Sequence, residues 1–160
     1  MSRAPRNKRF GTPRPPARSL SAPPGGALRR MLAAHLAAVN GRDLDRLMAF
    51  YADDAVLEFP ASPRLLGKAK IRRAFASFFD NWDETSTYDA VVISGNTAAV
   101  EGIVTGRHRT LHLRIPGRIE TGSRVYHHGF AMFVEVAGGK IISQRVYFDA
   151  RDLVKQLLGD

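Results

Sequence analysis

Two histidines sit in apolar patterns where they could do chemistry. His35 belongs to the series Leu28, Met31, Leu32, His35, Leu36 and Val39, whose i, i+3, i+4, i+7 spacing describes one apolar helix face. His128 lies in Tyr126-His-His-Gly-Phe-Ala-Met-Phe-Val-Glu-Val136. Strand alternation puts it on the same face as Tyr126, Phe130, Met132 and Val134. Imidazole titrates near neutral pH, so two of them in an apolar pocket could act as acid and base on a small molecule without a cofactor. The competing reading of each is a core or pocket-rim histidine, satisfied by hydrogen bonds and without a chemical role.

Other chemistries are restricted by what surrounds these two residues. The chain has no cysteine, which removes thiol nucleophiles, thiolate metal sites and disulfides. Arg107, His108, Arg109, His112 and Arg114 form a basic cluster, with His127 on the same outer face. No acid and no regular ligand spacing accompanies it, so no metal site is expected; a solvated or dimer-facing sheet surface is. Glu58 and Glu101 are expected to be the only acids near the core strands. Both alternate away from their apolar neighbours, toward solvent or an interface.

The elements that must position the histidines follow from periodicity. The first helix ends at Asn40-Gly41. A second starts near Asp43, a candidate N-cap, and carries Leu44, Leu47, Met48 and Tyr51 on one side. Val56–Phe59 reads as a short strand stopped by Pro60. Gly67 precedes a third helix with Ile71, Ala74, Phe75, Phe78 and Trp82 on its apolar face. From Tyr88 the period changes to two: Ala90–Ile93, a Gly95-Asn96 turn and Ala98–Val104 form a hairpin, and the second strand is expected to run on through Leu111–Ile115. Pro116-Gly117 and Thr121-Gly122 bracket a loop. Residues 126–136 and 140–149 make a long hairpin around Ala-Gly-Gly, and a short helix closes the chain. The fold class is α+β: a curved antiparallel sheet with helices on its concave side, forming a small cone around an apolar pocket.

At 160 residues and 44% hydrophobic content the chain suits one globular domain. The net charge of +9 is uneven. Residues 1–26 hold Arg3, Arg6, Lys8, Arg9, Arg14 and Arg18 and no acid, six of the nine net charges, among many prolines. This stretch is expected to be a disordered basic tail, with the domain at 27–160. Only Phe10 interleaves with the charges, so nucleic acid is not an expected partner. No apolar run approaches a membrane span and no h-region follows the basic N-terminus. A cytoplasmic location is the expectation.

The segments His35-Leu-Ala-Ala-Val-Asn-Gly-Arg-Asp-Leu-Asp45, Phe50-Tyr-Ala-Asp-Asp-Ala-Val-Leu-Glu-Phe-Pro60, Gly67-Lys-Ala-Lys-Ile71, Thr121-Gly122 and Gly139-Lys-Ile…Tyr-Phe-Asp…Gln-Leu-Leu-Gly159 resemble, in order and spacing, the SnoaL-like family of the nuclear transport factor 2-like superfamily. The resemblance covers residues 27–159 and implies a cone-shaped barrel. Relatives include polyketide cyclases, limonene epoxide hydrolases, ketosteroid isomerases and scytalone dehydratases, beside binding and assembling domains. In the cyclases and epoxide hydrolases an essential aspartate follows the lysine of the last turn by six positions; here that position is Val146. The cyclase histidine position is Met132, the isomerase aspartate position Phe59, and the isomerase tyrosine position His35. Asp149 matches an aspartate that opens the last helix, an N-cap role.

The family's catalytic groups are therefore replaced by apolar residues at several positions. Two readings follow. One is an apolar pocket for a small hydrophobic molecule, in a ligand-binding or divergent domain lacking the usual catalytic aspartate. The other is a cofactor-independent cyclase, isomerase or dehydratase that uses His35 and His128. The expected pocket walls are Leu57, Phe59, Phe75, Trp82, Phe130, Met132, Val146 and Phe148, with Tyr51 and Gln144 as further polar groups. No metal or cofactor is expected. The outer sheet face, with Phe133, Glu135, Arg145 and Tyr147, is expected to pair two subunits, as in relatives.

Overall fold

The computed structural model of the chain describes residues 25–109, 112–115, 118–121 and 124–158, the backbone alone in 112–115 and 118–121. Residues 1–24 of the expected tail lie outside these. Gly25 and Gly26, placed in the tail by composition, instead form the start of α1 (Gly25–Asn40). This helix buries Leu28, Leu32, His35 and Ala38, because steps of three and four residues return to one side. The next element, α2 (Leu44–Met48), is one turn long, and the Asp43 carboxylate caps it by accepting from the Arg46 amide at 3.0 Å. Tyr51, expected on this helix, opens β1 (Tyr51–Glu58) and is fully buried there.

After the short β2 (Leu65–Leu66), Gly67 turns the chain at φ 87° into α3 (Lys68–Asn81). Ile71, Phe75 and Phe79 are its buried residues. Trp82, expected on this helix, is instead the first residue of β3 (Trp82–Ser94), with extended backbone at φ −118° and ψ 138°. Helix passes to strand with no connecting loop, six residues before the period change expected at Tyr88. β4 (Thr97–His108) pairs antiparallel with β3 along its full length.

The expected continuation of β4 does not occur. β5 (His112–Ile115) and β6 (Arg118–Thr121) form a separate two-stranded ribbon, which also replaces the loop expected there. β7 (Val125–Ala137) and β8 (Lys140–Phe148) complete the main sheet, and α4 (Ala150–Leu158) follows. The strand order is β2-β1-β8-β7-β4-β3. All pairings are antiparallel except β1 with β8, which run parallel and make the sheet mixed.

Bulges bend this sheet. One lies between Tyr88 and Ala90 on β3, another at Glu135/Val136, and a third in β1. An extra residue on one strand increases local twist and curvature. The first bulge also lets Tyr88 and Val91 both face the helices. Gly102 sits opposite it: a Cβ there would stand 1.9 Å from the Thr87 carbonyl, so no other residue fits. Helix α1 is fastened to β3 by Asn40, whose side-chain amide exchanges two 2.9 Å hydrogen bonds with the Ser86 backbone as a neighbouring strand would. The core is built from Leu28, Leu32, Leu47, Leu57, Ile71, Val134, Val136 and Ile141, all almost fully buried.

Candidate functional site

Between the helices and the concave sheet face lies a cavity of about 590 Å³. That is within the range of small-molecule sites, roughly 300–1,000 Å³. Of the residues expected on its wall, His35, Phe59, Phe75, Trp82, His128, Phe130, Met132, Gln144, Val146 and Phe148 line it. Tyr51 and Leu57 do not; both are fully buried behind the wall. Leu36, Val39, Ala74, Phe78, Val104 and Leu153 add apolar surface not anticipated from sequence, and Glu84, Ser86 and Tyr88 add polar groups. Leu153 comes from α4. That helix is capped by Asp149, whose Oδ1 accepts from the Arg151 and Asp152 amides at 2.9 and 3.0 Å. It is held on β7 by Gln156, which donates to the His127 carbonyl and accepts from the His127 amide.

One end of the cavity carries a relay of hydrogen bonds whose proton order can be assigned. The Tyr51 hydroxyl donates to Gln144 Oε1 at 2.6 Å, while Gln144 Nε2 turns to the Met132 sulfur at 3.5 Å. With its proton committed, the Tyr51 oxygen accepts from His35 Nε2 at 3.1 Å. His35 Nδ1 is then the lone pair, and the Tyr88 hydroxyl donates to it at 3.1 Å. The imidazole must be neutral for this order, and burial pulls its pKa down to about 4. Burial likewise pushes Tyr51 and Tyr88 above the ordinary phenol value. Both His35 nitrogens are engaged by tyrosines, so proton exchange with a ligand would pass through the Tyr88 hydroxyl.

At the other end is a carboxylate. Trp82, Glu84, Ser86 and Tyr88 alternate inward along β3, and all four line the cavity. The Tyr126 hydroxyl donates to Glu84 Oε1. Burial raises the Glu84 pKa, and the Tyr126 bond partly opposes this. The carboxyl fits because Gly106 lies beneath it: a Cβ there would stand 2.6 Å from Glu84 Cγ and 2.9 Å from the Tyr126 oxygen. His128 stacks on Tyr126 at 5.9 Å and packs against Phe148 at 5.0 Å, with Nδ1 3.2 Å from the Gly129 carbonyl.

Glu84 corrects the expectation that Glu58 and Glu101 are the only acids near the core strands. With Trp82 on the expected apolar face of the third helix and the strand period expected only from Tyr88, Glu84 belongs to neither expected element. The alternation of positions 82, 84, 86 and 88 was the available signal. Glu58 pairs with Arg64 at 2.9 Å and Glu101 is exposed. In the basic cluster, Arg107 pairs with Asp83, His108 packs edge-on against Trp82 at 4.5 Å, and the Arg109 amide donates to the Asn81 carbonyl. The side chains of His112 and Arg114 lie outside the described residues. His127 is exposed beside Thr105. Among the described residues no group of three or more His, Asp and Glu side chains is placed to hold a metal ion, and no helix is long and apolar enough to cross a membrane.

A helix-flanked mixed sheet around such a cavity can be compared with known proteins. The SnoaL-like domain model matches residues 32–144. The chain belongs to the SnoaL-like domain family. Among solved structures, a candidate polyketide cyclase from Xanthomonas campestris pv. campestris superposes with a TM-score of 0.75 at 22% identity, covering 82% of this chain and 97% of its own. An LEH-like epoxide hydrolase from M. tuberculosis gives 0.67 at 21% identity, with coverages of 84% and 91%. A candidate ketosteroid isomerase from Kribbella flavida gives 0.59 at 20%, with 77% and 78%. No curated protein matches. At such identities the likeness of this SnoaL-like domain to these structures is one of fold.

Proposed function

We propose that this SnoaL-like domain binds one small, largely apolar molecule in the cavity between α1, α3 and the sheet. The observation that carries this reading is the cavity itself: about 590 Å³ walled mainly by aromatic and aliphatic side chains, with a few polar groups gathered at two places. Apolar walls supply affinity through surface removed from water, and a few fixed polar atoms supply orientation. Trp82, the single tryptophan of the chain, lines this space, so its emission reports occupancy. Titration with trans-decalin, which does not absorb in the near ultraviolet, should change Trp82 emission and raise the melting temperature. Ala74→Phe, projecting from α3 into the cavity, should abolish both responses in a folded protein. A wild-type protein whose emission and melting temperature do not move at saturating probe would sink this reading.

The catalytic alternative is a cofactor-independent cyclase, isomerase or dehydratase. Its His35 arm is weakened by the two tyrosine bonds, which leave the imidazole neutral and without a free nitrogen. The polar groups that could still meet a substrate directly are Tyr88, Glu84 and His128.

A further inference from the structure

Both polar ends of the cavity offer hydrogen-bond acceptors with spare capacity. The proton of Tyr88 is committed to His35, which leaves the phenol oxygen free to accept. The His128 Nδ1 contact with the Gly129 carbonyl makes that nitrogen an N–H, so the neutral ring presents Nε2 as a lone pair. Glu84 Oε1 takes the Tyr126 proton, and no described residue donates to Oε2. A ligand that satisfies these three acceptors must bring donors.

The Glu84 end is more specific than that. The carboxylate shares the cavity with a chain of rings that runs through its partner Tyr126: Phe78 against Trp82 at 6.5 Å, Trp82 against Tyr126 at 5.7 Å, Tyr126 against His128 at 5.9 Å, and His128 against Phe148 at 5.0 Å. Aromatic faces attract cations, and a carboxylate set in an apolar wall is costly without one. Among the described residues no Lys or Arg pairs with Glu84. Arg107 and Arg42 reach Asp83, the next residue of β3, at 3.1 and 3.8 Å. His108 packs edge-on against Trp82. The pKa of Glu84, raised by burial, agrees with a carboxyl short of a counter-ion.

We propose that the aromatic end of the cavity takes the protonated amine of an otherwise apolar ligand, with Glu84 as its counter-ion. This rests on the cavity being a small-molecule site, and the test separates the two. Calorimetry at pH 7.5 would compare 1-naphthylmethylamine, a cation, with 1-naphthylmethanol, a neutral donor, and 1-ethylnaphthalene, which has neither property. The expected result is that the amine binds roughly ten- to a hundredfold more tightly than 1-ethylnaphthalene, the range of a desolvated ion pair with cation–π support. Glu84→Gln keeps the size of the side chain and a partner for Tyr126; it should erase that advantage and leave 1-ethylnaphthalene unchanged. The inference is overturned if the amine binds no better than 1-ethylnaphthalene, while the cavity reading stands. It is overturned equally if the alcohol binds best, or if the amine keeps its advantage in Glu84→Gln. If none of the three binds, the cavity reading fails and this inference with it. The wild-type comparison alone decides the matter should the variant not fold.

Discussion

Met132 and Val146 are direct partners in the register of β7 and β8, and both line the cavity. These are the positions at which the cyclases that the chain resembles carry a histidine and an aspartate. Here the cross-strand pair is apolar, and Met132 is further engaged through its sulfur by Gln144 Nε2. Among the described residues no Lys or Arg lines the cavity to pair with a carboxylate introduced at 146. Val146→Asp is therefore expected to destabilise the fold by about 2 kcal/mol at neutral pH. Desolvation penalises the ionised form, so the loss should be larger at pH 8 than at pH 5. Urea midpoints at the two pH values check this; equal losses would mean that the new side chain escapes to solvent.

The neutral His35 makes acid stability a readout of the relay. Its folded pKa is about 4, against 6.5 for the ordinary side chain. The unfolded chain therefore binds the extra proton first. The stabilisation is complete above about pH 6.5 and is lost as pH falls toward 4. A shift of this size corresponds to about 3 kcal/mol. Urea midpoints measured from pH 7 to pH 4 should fall accordingly, and His35→Gln should flatten that slope. A wild-type protein equally stable at pH 7 and pH 4.5 would contradict the buried neutral imidazole.

Removing one hydroxyl tests whether the relay acts as a unit. Tyr51→Phe deprives both His35 Nε2 and Gln144 Oε1 of a buried partner. It should cost about 1–3 kcal/mol. Gln144→Met removes one of the same partners, so the double variant should lose less than the sum of the two singles. Additive losses in chemical denaturation would show that the two groups are energetically independent.

We propose that the outer sheet face joins two copies of the chain. Phe133 and Tyr147 are 40% and 49% exposed there and meet edge-to-face at 6.2 Å, with the Arg145 guanidinium over Phe133. Val92, at 68% exposure, extends the patch. Light scattering at micromolar concentration should give the mass of two chains, and Phe133→Asp should return it to one. A wild-type monomer would remove the proposal.

Much of the fold was legible because most elements obey one period over many residues. α1 announces itself through Leu28, Leu32 and His35, and β7 through Tyr126, His128, Met132 and Val134. The cap at Asp43 and the turn at Gly67 were equally plain. The failures cluster where two periods meet. Trp82 satisfies the α3 pattern and the β3 pattern at once, and counting it as helix hid Glu84 and pushed the strand back to Tyr88. Tyr51 was lost in the same way at the junction of α2 and β1. The parallel pairing of β1 with β8 left no local signal, since it is set by tertiary packing. Nor could sequence show that the two ring nitrogens of His35 are shared between Tyr51 and Tyr88, residues on different strands.

That parallel pairing bears on how the protein is made. Tyr51 and Gln144, joined by one hydrogen bond, are 93 positions apart. While a ribosome is still adding residues between them, β1 has no β8 to lie against, and the apolar faces of α1 and α3 have only part of their sheet. The nascent chain must hold these surfaces in water until β8 emerges. Closing so long a loop is slow, and an unpaired strand edge invites a neighbouring chain meanwhile. The cavity is thus closed only once β8 has been made.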